Sequence, residues 1–594
     1  MASTPASSTA PQAARSAETA GDDSKFRLYA GLVLIAAAVL FFVRLGARAL
    51  WSSEFRWAEI SREMLLTHNY FWPTINGHVY YDKPLGSYWL VVAASRFTGG
   101  LDEAATRLPC AIAGLAAVAL LILLVRRLYD ARTAVLSGII LATSFSFVFF
   151  SRHASADVET LTGELAALLL FERNQDRRGG AWVVALWLIM AATSLTKGLL
   201  GFALPILVIG VYGCLRDGWR PFIARISGGS FAARVSALIE TQRWFFNRYS
   251  ILAIVLAVAV YYIPFEISSR ITGSEKGLQM VYRENVVRFF HPFDHRGPIY
   301  LYVYVIFALF APWSAMLPAA LVETHSRLHA NAAPASAGSG PARADRFALV
   351  YFWATFVFFT LSGSRRSYYI LPILPAAAIL VAQTLSRATK LRSTLARRLL
   401  VIGYAIVAIA AVASLVALIP ASAILPGDFA KLPPLPDKFA FVVCWVVGIA
   451  GVAYAIRKFS PLRAAISTAA IAYAVMTYIY IFAMPAAEAY RGEKPFGYAV
   501  LNEIGNHSAQ LALYKTQGPL FYLNPPAPLQ EFDNKQDLAD AIAKGNVRWF
   551  IARRRDIPKL DVATSVKLSE ASFPFDTDYN FRNKVVLVAV APAD

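Results

Sequence analysis

The sequence predicts a polytopic α-helical membrane protein with a small α/β domain at its C-terminal end. Of its 594 residues, 57% are apolar and only 16% are charged, whereas soluble proteins carry about 45–50% apolar and about 25% charged residues. The mean hydropathy of the chain is +0.48. This composition argues against a disordered chain, a secreted disulfide scaffold and an ordinary soluble enzyme.

Thirteen apolar segments approach the length of about 20 residues that a helix needs to cross the hydrocarbon core of a bilayer. The predicted segments are approximately 28–46, 105–125, 133–150, 158–172, 181–196, 198–215, 250–267, 299–322, 347–362, 367–385, 400–419, 438–456 and 463–484. Together they predict a membrane domain over residues 28–484. The polar, Ala- and Ser-rich stretch 1–27 is predicted to be a disordered cytoplasmic tail. It is not a signal peptide, because no small-residue cleavage site follows the first apolar run.

Lys and Arg in the short connections indicate a cytoplasmic N-terminus, since cytoplasmic loops carry an excess of these residues. Thirteen crossings then place residues 485–594 outside, as a periplasmic domain. Its patterns ALYKT, PLFYLN, VRWFIARR and NKVVLVAV mix strand and helix signals and predict a small α/β module. The Trp- and Tyr-rich stretch 47–104 is predicted to be the first periplasmic loop, with short amphipathic helices on the membrane surface.

The net charge of +19 would suggest a nucleic-acid partner in a soluble domain. In a membrane protein it indicates loops that face anionic lipid or bind anionic ligands, so membrane lipids are expected as partners and nucleic acid is not. The three cysteines, Cys110, Cys214 and Cys444, lie in apolar runs and form neither a disulfide framework nor a zinc pattern.

Ionisable side chains gather in the connections predicted to face outward, where the orientation rule disfavours Lys and Arg. They include Glu54, Arg56, Asp82, Lys83, Asp157, Lys197, Glu284, Arg288 and Arg365. Any one of the cations could be an interfacial side chain that snorkels, but the set on one face indicates a site. Cations that converge beside carboxylates suit a site that holds a phosphate while a base acts nearby. Because nucleotides are scarce outside the inner membrane, the phosphate is predicted to belong to a lipid, and the cations would stabilise the charge that develops on it as a leaving group.

Eight motifs occur in an order that resembles the lipid A aminoarabinose transferases, which belong to the GT-C superfamily of membrane glycosyltransferases beside the protein O-mannosyltransferases. The motifs are SEFRWAEISREML, NGHVYYDKPLGSYW, TRLPCAIAGL, RHASADVETLTGE, SLTKGLLGFALP, RENVVRFF, FAPWSAMLP and SGSRRSYYILPILPA, and the resemblance covers about residues 28–385. It implies a GT-C fold in the bacterial inner membrane with the active site on the periplasmic side. It also implies an inverting glycosyltransferase that moves a sugar from an undecaprenyl phosphate carrier to lipid A or another acceptor.

The resemblance also implies roles for particular residues. Lys83 matches the lysine that contacts the carrier phosphate, and Arg56 and Arg288 match its arginine partners. Two further cations are implied at the phosphate, namely Lys197, which matches the TKG lysine, and Arg365, which stands where the family commonly has Lys. The implied substrate cavity contains Asp82 (where the family usually has Glu), Tyr81, Glu284 and Tyr369, which matches the tyrosine of the YIL motif.

One departure from the family pattern concerns the catalytic base. The family motif usually reads Asp-Glu-x-Arg, with its Asp as the favoured base, but this chain has Ser53-Glu54-Phe55-Arg56. A serine hydroxyl does not act as a proton acceptor near neutral pH. Glu54 and Asp157 are therefore the predicted catalytic residues, with Asp82 as a further candidate, and a chain that is not active in the usual way as the remaining alternative.

Two other functions stay open at the level of sequence. A protein O-glycosyltransferase would keep the fold and change the acceptor. A transporter or flippase would place its ionisable site near the bilayer midplane rather than in loops at one face. The resemblance implies no certain cofactor. It is compatible with a divalent metal ion near Asp82, but the sequence does not identify a set of ligands for one. The oligomeric state is open, and a monomer is common in the family.

Overall fold

The structure is a computed structural model that describes residues 10–51, 53–177, 179–228, 230–330, 340–424, 433–457, 461–505, 507–560, 564–573 and 576–590. The α-helices are Ala10–Phe42, Glu54–Thr67, Gly86–Thr98, Glu103–Leu128, Ala131–Ala142, Phe145–Ser151, Ala156–Asn174, Ala181–Lys197, Leu200–Leu215, Trp219–Ser227, Phe231–Thr241, Arg248–Thr272, Lys276–Tyr282, Arg288–Phe290, Leu301–Leu309, Leu317–Ala330, Gly340–Leu361, Leu374–Ser386, Thr394–Ala413, Lys438–Arg457, Pro461–Tyr478, Met484–Ala487, Glu493–Ile504, Leu520–Leu523, Lys535–Ala543 and Asp578–Asn583. The strands are β1 (Thr74–Ile75), β2 (His78–Val79), β3 (Leu511–Tyr514), β4 (Gln530–Phe532), β5 (Trp549–Arg553), β6 (Thr564–Ser569) and β7 (Val585–Val590).

Each of the thirteen predicted apolar segments coincides with a helix or with a run of helices. Within the described residues, seven helices are long and apolar enough to cross a membrane, and the number rises to nine if each of two bent pairs is one crossing. One pair, Ala131–Ala142 with Phe145–Ser151, bends by 67°. Other predicted segments form shorter helices, such as Ala181–Lys197. The multi-pass helical architecture is therefore present, and the total of thirteen crossings stays a prediction.

The first helix begins at Ala10, whereas the sequence predicted a disordered tail through residue 27. The segment contains many alanines, which favour helix more strongly than any other residue. Residues 1–9 of that predicted tail lie outside the described residues.

The helix Leu374–Ser386 lies in the centre of the bundle, and its residues 376–382 are fully buried. It contacts the helices Ala131–Ala142 and Leu317–Ala330. Three consecutive alanines, Ala376 to Ala378, give it a narrow surface, and small residues let neighbouring helices approach closely in a membrane protein.

The stretch 47–104, which is predicted to be the first periplasmic loop, contains two helices, Glu54–Thr67 and Gly86–Thr98, with the hairpin β1–β2 between them. The hairpin turn is Asn76-Gly77, with φ of 53° and 75°, and Asn-Gly is favoured in two-residue turns that need positive φ at both positions. The prediction of helices is confirmed, but the helix Glu54–Thr67 does not lie freely on a membrane surface. It shares one apolar core with the C-terminal domain. Its apolar side chains are therefore covered by protein rather than by lipid.

The C-terminal region forms a five-stranded sheet in the order β4-β3-β5-β7-β6. Strand β3 runs parallel to β4 and β5, while β7 runs antiparallel to β5 and β6. Tyr514 at the end of β3 lies opposite Phe532 of β4 and Ala552 of β5. The sheet with its helices agrees with the predicted α/β module, and its register brings the carboxyl ends of three strands to the same edge.

Hydrogen bonds attach this domain to the first loop. The side chain of Asn76 donates to the carbonyl of Leu529 at 2.9 Å and accepts from the backbone N–H of Leu529 at 2.7 Å. The hydroxyl of Tyr522 accepts from the backbone N–H of Leu50 at 2.6 Å. These contacts fix the sheet above the ends of the membrane helices.

Candidate functional site

A cavity of about 1410 Å³ lies between the first loop, the ends of several membrane helices and the C-terminal sheet. Of the eleven predicted site residues, eight line this cavity, namely Arg56, Asp82, Lys83, Asp157, Lys197, Glu284, Arg288 and Tyr369. They come from segments that are distant in sequence, and the structure brings the three cations Arg56, Lys83 and Arg288 to one cavity.

Asp82 is held between two of these cations. The Arg56 guanidinium donates a hydrogen bond to one carboxylate oxygen of Asp82, and Lys83 Nζ lies 3.1 Å from the other. Burial alone would raise the pKa of Asp82, but the charges of Lys83 and Arg56 outweigh burial and lower it. Burial also lowers the pKa of Lys83, and the attraction of Asp82 only partly opposes this effect. The three groups form a partly buried cluster whose two cations are already oriented toward an anion.

Arg288 brings a third cation to the cavity from the outer loop. Its guanidinium contacts Glu284 at 2.5 Å and Asp294 at 2.7 Å, and it lies 4.8 Å from the centroid of the Phe293 ring. Glu284 and Arg288 are four residues apart on a helical run and therefore lie on the same face. Burial raises the pKa of Glu284, and the charges of Arg288 and Lys83 only partly oppose that rise. Glu284 therefore lies within the electrostatic reach of both Arg288 and Lys83, and all three residues line the same cavity.

Asp157 and Lys197, which both line the cavity, form an ion pair. Asp157 lies in the first turn of the helix Ala156–Asn174, and Lys197 is the last residue of the helix Ala181–Lys197. Lys197 Nζ also lies 5.3 Å from the centroid of the Tyr369 ring. The N-terminus of a helix favours a negative charge, so Asp157 is a carboxylate fixed in the cavity wall by its own helix and by Lys197.

Glu54, the first candidate base, lies outside the cavity wall, with a relative exposure of 1%. Its two carboxylate oxygens each lie 2.7 Å from the Arg107 guanidinium, and they also accept backbone N–H bonds from Ala154 and Trp51 at 3.0 Å. Burial would raise the pKa of Glu54, but Arg107, with smaller contributions from His153 and Ala154, outweighs burial and lowers the pKa to about 2. A carboxylate so fully bonded holds the loop against the membrane domain and is not placed to take a proton from a substrate.

Two other predicted residues also lie outside the cavity. Arg365 donates to the carbonyls of Gly297 at 2.8 Å and Thr360 at 3.0 Å. The next residue, Arg366, lines the cavity in its place. Tyr81 donates or accepts a hydrogen bond with the Ser268 hydroxyl, and its neighbour Tyr80 faces the cavity. Both pairs of residues lie in non-helical stretches, where successive side chains point to different sides of the backbone. A prediction that is wrong by one residue therefore names a side chain that points away from the cavity.

Sequence reasoning missed further cavity residues, among them His153, Tyr368, Arg366, Lys515, Glu531, Asp533 and Arg553. His153 Nε2 lies 3.4 Å from the Ser53 hydroxyl and His153 Nδ1 lies 3.4 Å from Glu54. The imidazole thus lies beside the serine that replaces the family's aspartate. A histidine two residues before the Ser155-Ala156-Asp157 run offered no signal of its own, because its partner Ser53 is 100 residues away.

The residues near Asp82 do not fit a metal site. In the part of the chain that the structure describes, no group of three or more His, Cys, Asp or Glu side chains could hold a metal ion. The carboxylate of Asp82 is bonded to Arg56 and Lys83 instead.

Comparisons with known proteins agree with this geometry. A family model described as dolichyl-phosphate-mannose-protein mannosyltransferase matches residues 82–239. An undecaprenyl phosphate-alpha-4-amino-4-deoxy-L-arabinose arabinosyl transferase of Pseudomonas aeruginosa (strain LESB58) is 27% identical over 396 residues, and the match covers 65% of this chain and 65% of that protein. The crystal structure of ArnT from Cupriavidus metallidurans bound to undecaprenyl phosphate has a TM-score of 0.68 and 22% identity, and covers 95% of this chain and 98% of that one.

The chain has the same fold as this ArnT structure, and its sequence is similar to those of the arabinosyl transferases and, over residues 82–239, to the protein mannosyltransferase model. The resemblance stated from the motifs is thereby confirmed. An uncharacterized protein of Aquifex aeolicus (strain VF5) is also similar, with 28% identity over 361 residues, 60% of this chain and 63% of that protein. These matches span slightly less than two thirds of the length of the relatives.

Proposed function

We propose that this GT-C protein is an inverting glycosyltransferase, acting as a monomer in the bacterial inner membrane, that moves a sugar from undecaprenyl phosphate to lipid A at the periplasmic face. The observation that carries this proposal is the convergence of Arg56, Lys83 and Arg288 on one cavity that also contains Asp157. The relatives named as undecaprenyl phosphate-alpha-4-amino-4-deoxy-L-arabinose arabinosyl transferases support the donor, and the motif resemblance to lipid A aminoarabinose transferases supports the acceptor.

The three cations are assigned to the donor phosphate. Each is held in place by a carboxylate: Arg56 and Lys83 by Asp82, and Arg288 by Glu284 and Asp294. A phosphate that enters the cavity can accept hydrogen bonds from the same cations without a large rearrangement of their side chains. As the bond between the sugar and the phosphate breaks, the phosphate gains charge, and preorganised cations stabilise that charge most in a site that excludes water.

Asp157 is assigned as the general base. The acceptor hydroxyl attacks the anomeric carbon, its proton passes to Asp157, and the bond from the anomeric carbon to the phosphate oxygen breaks with inversion. Glu54 is bonded to Arg107 outside the cavity, and Asp82 is bonded to two cations. Among the described residues, Lys197 engages only one oxygen of Asp157, so the other can accept a proton.

Replacing Lys83 by alanine in the purified full-length protein tests the donor assignment. The turnover number with a lipid-linked sugar donor should fall about 10²- to 10³-fold, as when one key electrostatic donor is lost. Lys559→Ala is the matched control, because Lys559 also pairs with an aspartate, Asp556 at 3.0 Å, but lies outside the cavity. Turnover close to wild type for Lys83→Ala would overturn the assignment.

A protein O-glycosyltransferase is the second candidate, supported by the match of residues 82–239 to the protein mannosyltransferase model. Mass spectrometry of lipid A and of envelope proteins from a deletion strain separates the two functions. Unchanged lipid A together with the loss of a hexose from a protein would favour the second. A transporter is less well supported, because the charged residues gather at one end of the bundle, beside the C-terminal sheet.

A further inference from the structure

The C-terminal domain presents one edge of its sheet to the cavity. Lys515 follows the end of β3, Asp533 follows the end of β4, and Arg553 is the last residue of β5. The three strands are parallel, and the register places Tyr514 opposite Phe532 and Ala552. The three charged residues are therefore neighbours at the carboxyl edge.

All three of these residues line the cavity. In open α/β sheets, ligands bind beyond the carboxyl ends of the strands, because loops rather than side-chain packing occupy that edge. The edge of this sheet thus has both the position and the polarity of a ligand-binding surface.

Lys515 and Arg553 differ in their surroundings from the cations on the membrane side. Arg56, Lys83 and Arg288 each pair with a carboxylate in the cavity. Among the ion pairs of the described residues, none involves Lys515 or Arg553. Lys515 is exposed and Arg553 is half-buried, and Lys515 Nζ lies 5.1 Å from the centroid of the Tyr514 ring.

The acidic residues at this edge leave the two cations available. Both oxygens of Glu531 accept hydrogen bonds from the Gln517 side chain, at 2.8 and 3.1 Å, and one also accepts a bond from Asn76 at 3.1 Å. Asp533 is the other carboxylate at the edge, and it does not approach Lys515 or Arg553 within ion-pair distance in the part of the chain that the structure describes. Among the described residues neither Glu531 nor Asp533 forms an ion pair with Lys515 or Arg553, so both cations face the cavity without a directly paired counter-charge.

The edge is also fixed in position. The backbone N–H of Lys515 donates to the carbonyl of Phe532 at 3.1 Å, and the two hydrogen bonds between Asn76 and Leu529 attach the domain to the first loop. Because the backbone that carries the two cations is held in place, binding an anion orders fewer groups than it would on mobile loops.

We propose that Lys515 and Arg553 form an acceptor subsite that binds a phosphate on the headgroup of a lipid acceptor. This inference rests on the proposed function and names the part of the cavity that selects the acceptor. Arg and Lys are the side chains that bind phosphate through charge-assisted hydrogen bonds. The donor phosphate is assigned to Lys83, Arg56 and Arg288, so the two phosphates are assigned to different groups of cations in one cavity.

Binding to the full-length protein in nanodiscs tests the inference, with radiolabelled lipid A and radiolabelled undecaprenyl phosphate as probes. The double variant Lys515→Gln/Arg553→Gln should weaken lipid A binding roughly 10- to 100-fold, since two charge-assisted contacts are lost. It should leave the binding of undecaprenyl phosphate unchanged. Lys83→Ala should show the opposite pattern. Lys544→Gln/Arg582→Gln is the matched control, because both residues are exposed on the same domain and lie outside the cavity.

Three results would overturn the subsite: unchanged lipid A binding in the double variant, a loss of undecaprenyl phosphate binding in that variant, or no lipid A binding by the wild-type protein. The proposed function fails in a different way. If the wild-type protein binds lipid A through Lys515 and Arg553 but releases no sugar from a lipid-linked donor, the subsite stands and the glycosyltransferase proposal does not.

Discussion

Replacing Glu54 by glutamine should destabilise the protein without removing the catalytic base. Glu54 is buried against Arg107, with two contacts of 2.7 Å. The substitution keeps the shape of the side chain but leaves the guanidinium without its counter-charge in a buried place. Removing one partner of a buried ion pair typically costs about 3–5 kcal/mol, because the remaining charge is uncompensated.

The pKa of Glu54 gives an independent magnitude. It is lowered from 4.5 to about 2 in the folded protein, and one pKa unit corresponds to 1.36 kcal/mol, so the ionised carboxylate contributes about 3 kcal/mol near neutral pH. Because the folded-state pKa lies below the unfolded one, this contribution is complete above pH 4.5 and is lost as the pH falls toward 2. Wild type and Glu54→Gln should therefore differ in Tm by a constant amount from pH 7 to about pH 4.5, and the difference should shrink below that.

Thermal unfolding in detergent and the turnover number of the folded fraction, measured well below both Tm values, separate stability from catalysis. A large fall in Tm with turnover within about tenfold of wild type is expected, since general-base loss costs about 10²- to 10⁴-fold. The double variant Glu54→Gln/Arg107→Gln should be less destabilised than the sum of the single changes, because the two side chains are coupled. An unchanged Tm combined with a thousandfold loss of turnover would show that Glu54 is the base and would refute this reasoning.

The remaining predictions concern the base and the first loop. Asp157→Asn should lower the turnover number by about 10²- to 10⁴-fold, the range for loss of a general base, with little change in Tm. Ser53→Asp added to that variant should restore part of the activity, because Ser53 also lines the cavity. Full activity of Asp157→Asn would reject the assignment. Gly77→Ala should lower Tm, since φ is +75° and a Cβ would lie 2.8 Å from Pro528 of the C-terminal domain, and forcing a residue into such a backbone costs about 1 kcal/mol or more. Gly100→Ala, where a Cβ meets nothing within 4 Å, is the control, and equal Tm values for the two variants would contradict the steric argument.

Motif order located most of the donor site because each motif places one side chain at the end of a membrane helix or in the loop beside it. Lys83, Arg288 and Lys197 were identified in this way, and all three line the cavity. The motifs could not separate Arg365 from Arg366 or Tyr81 from Tyr80. Adjacent residues share the same sequence context, and only the backbone direction decides which of the two faces the cavity.

The identity of the base required the tertiary structure for a different reason. Glu54 directly follows the serine that replaces the family's aspartate, and on sequence alone it was the first candidate. Its partner Arg107 is 53 residues away, and no local pattern predicts that these two side chains meet. The same holds for His153 beside Ser53, which are 100 residues apart.

The sequence by itself determined the membrane class, the helical segments, the α/β character of the C-terminal region and the group of cations at one face, because these depend on composition, periodicity and charge along the chain. Only the tertiary structure decided which carboxylates line the cavity and which form buried ion pairs outside it. It alone brought the strand ends of residues 515, 533 and 553 to the cavity. Sheet register depends on pairing between strands tens of residues apart, and the placement of the domain depends on contacts such as that of Asn76 with Leu529, 453 residues away.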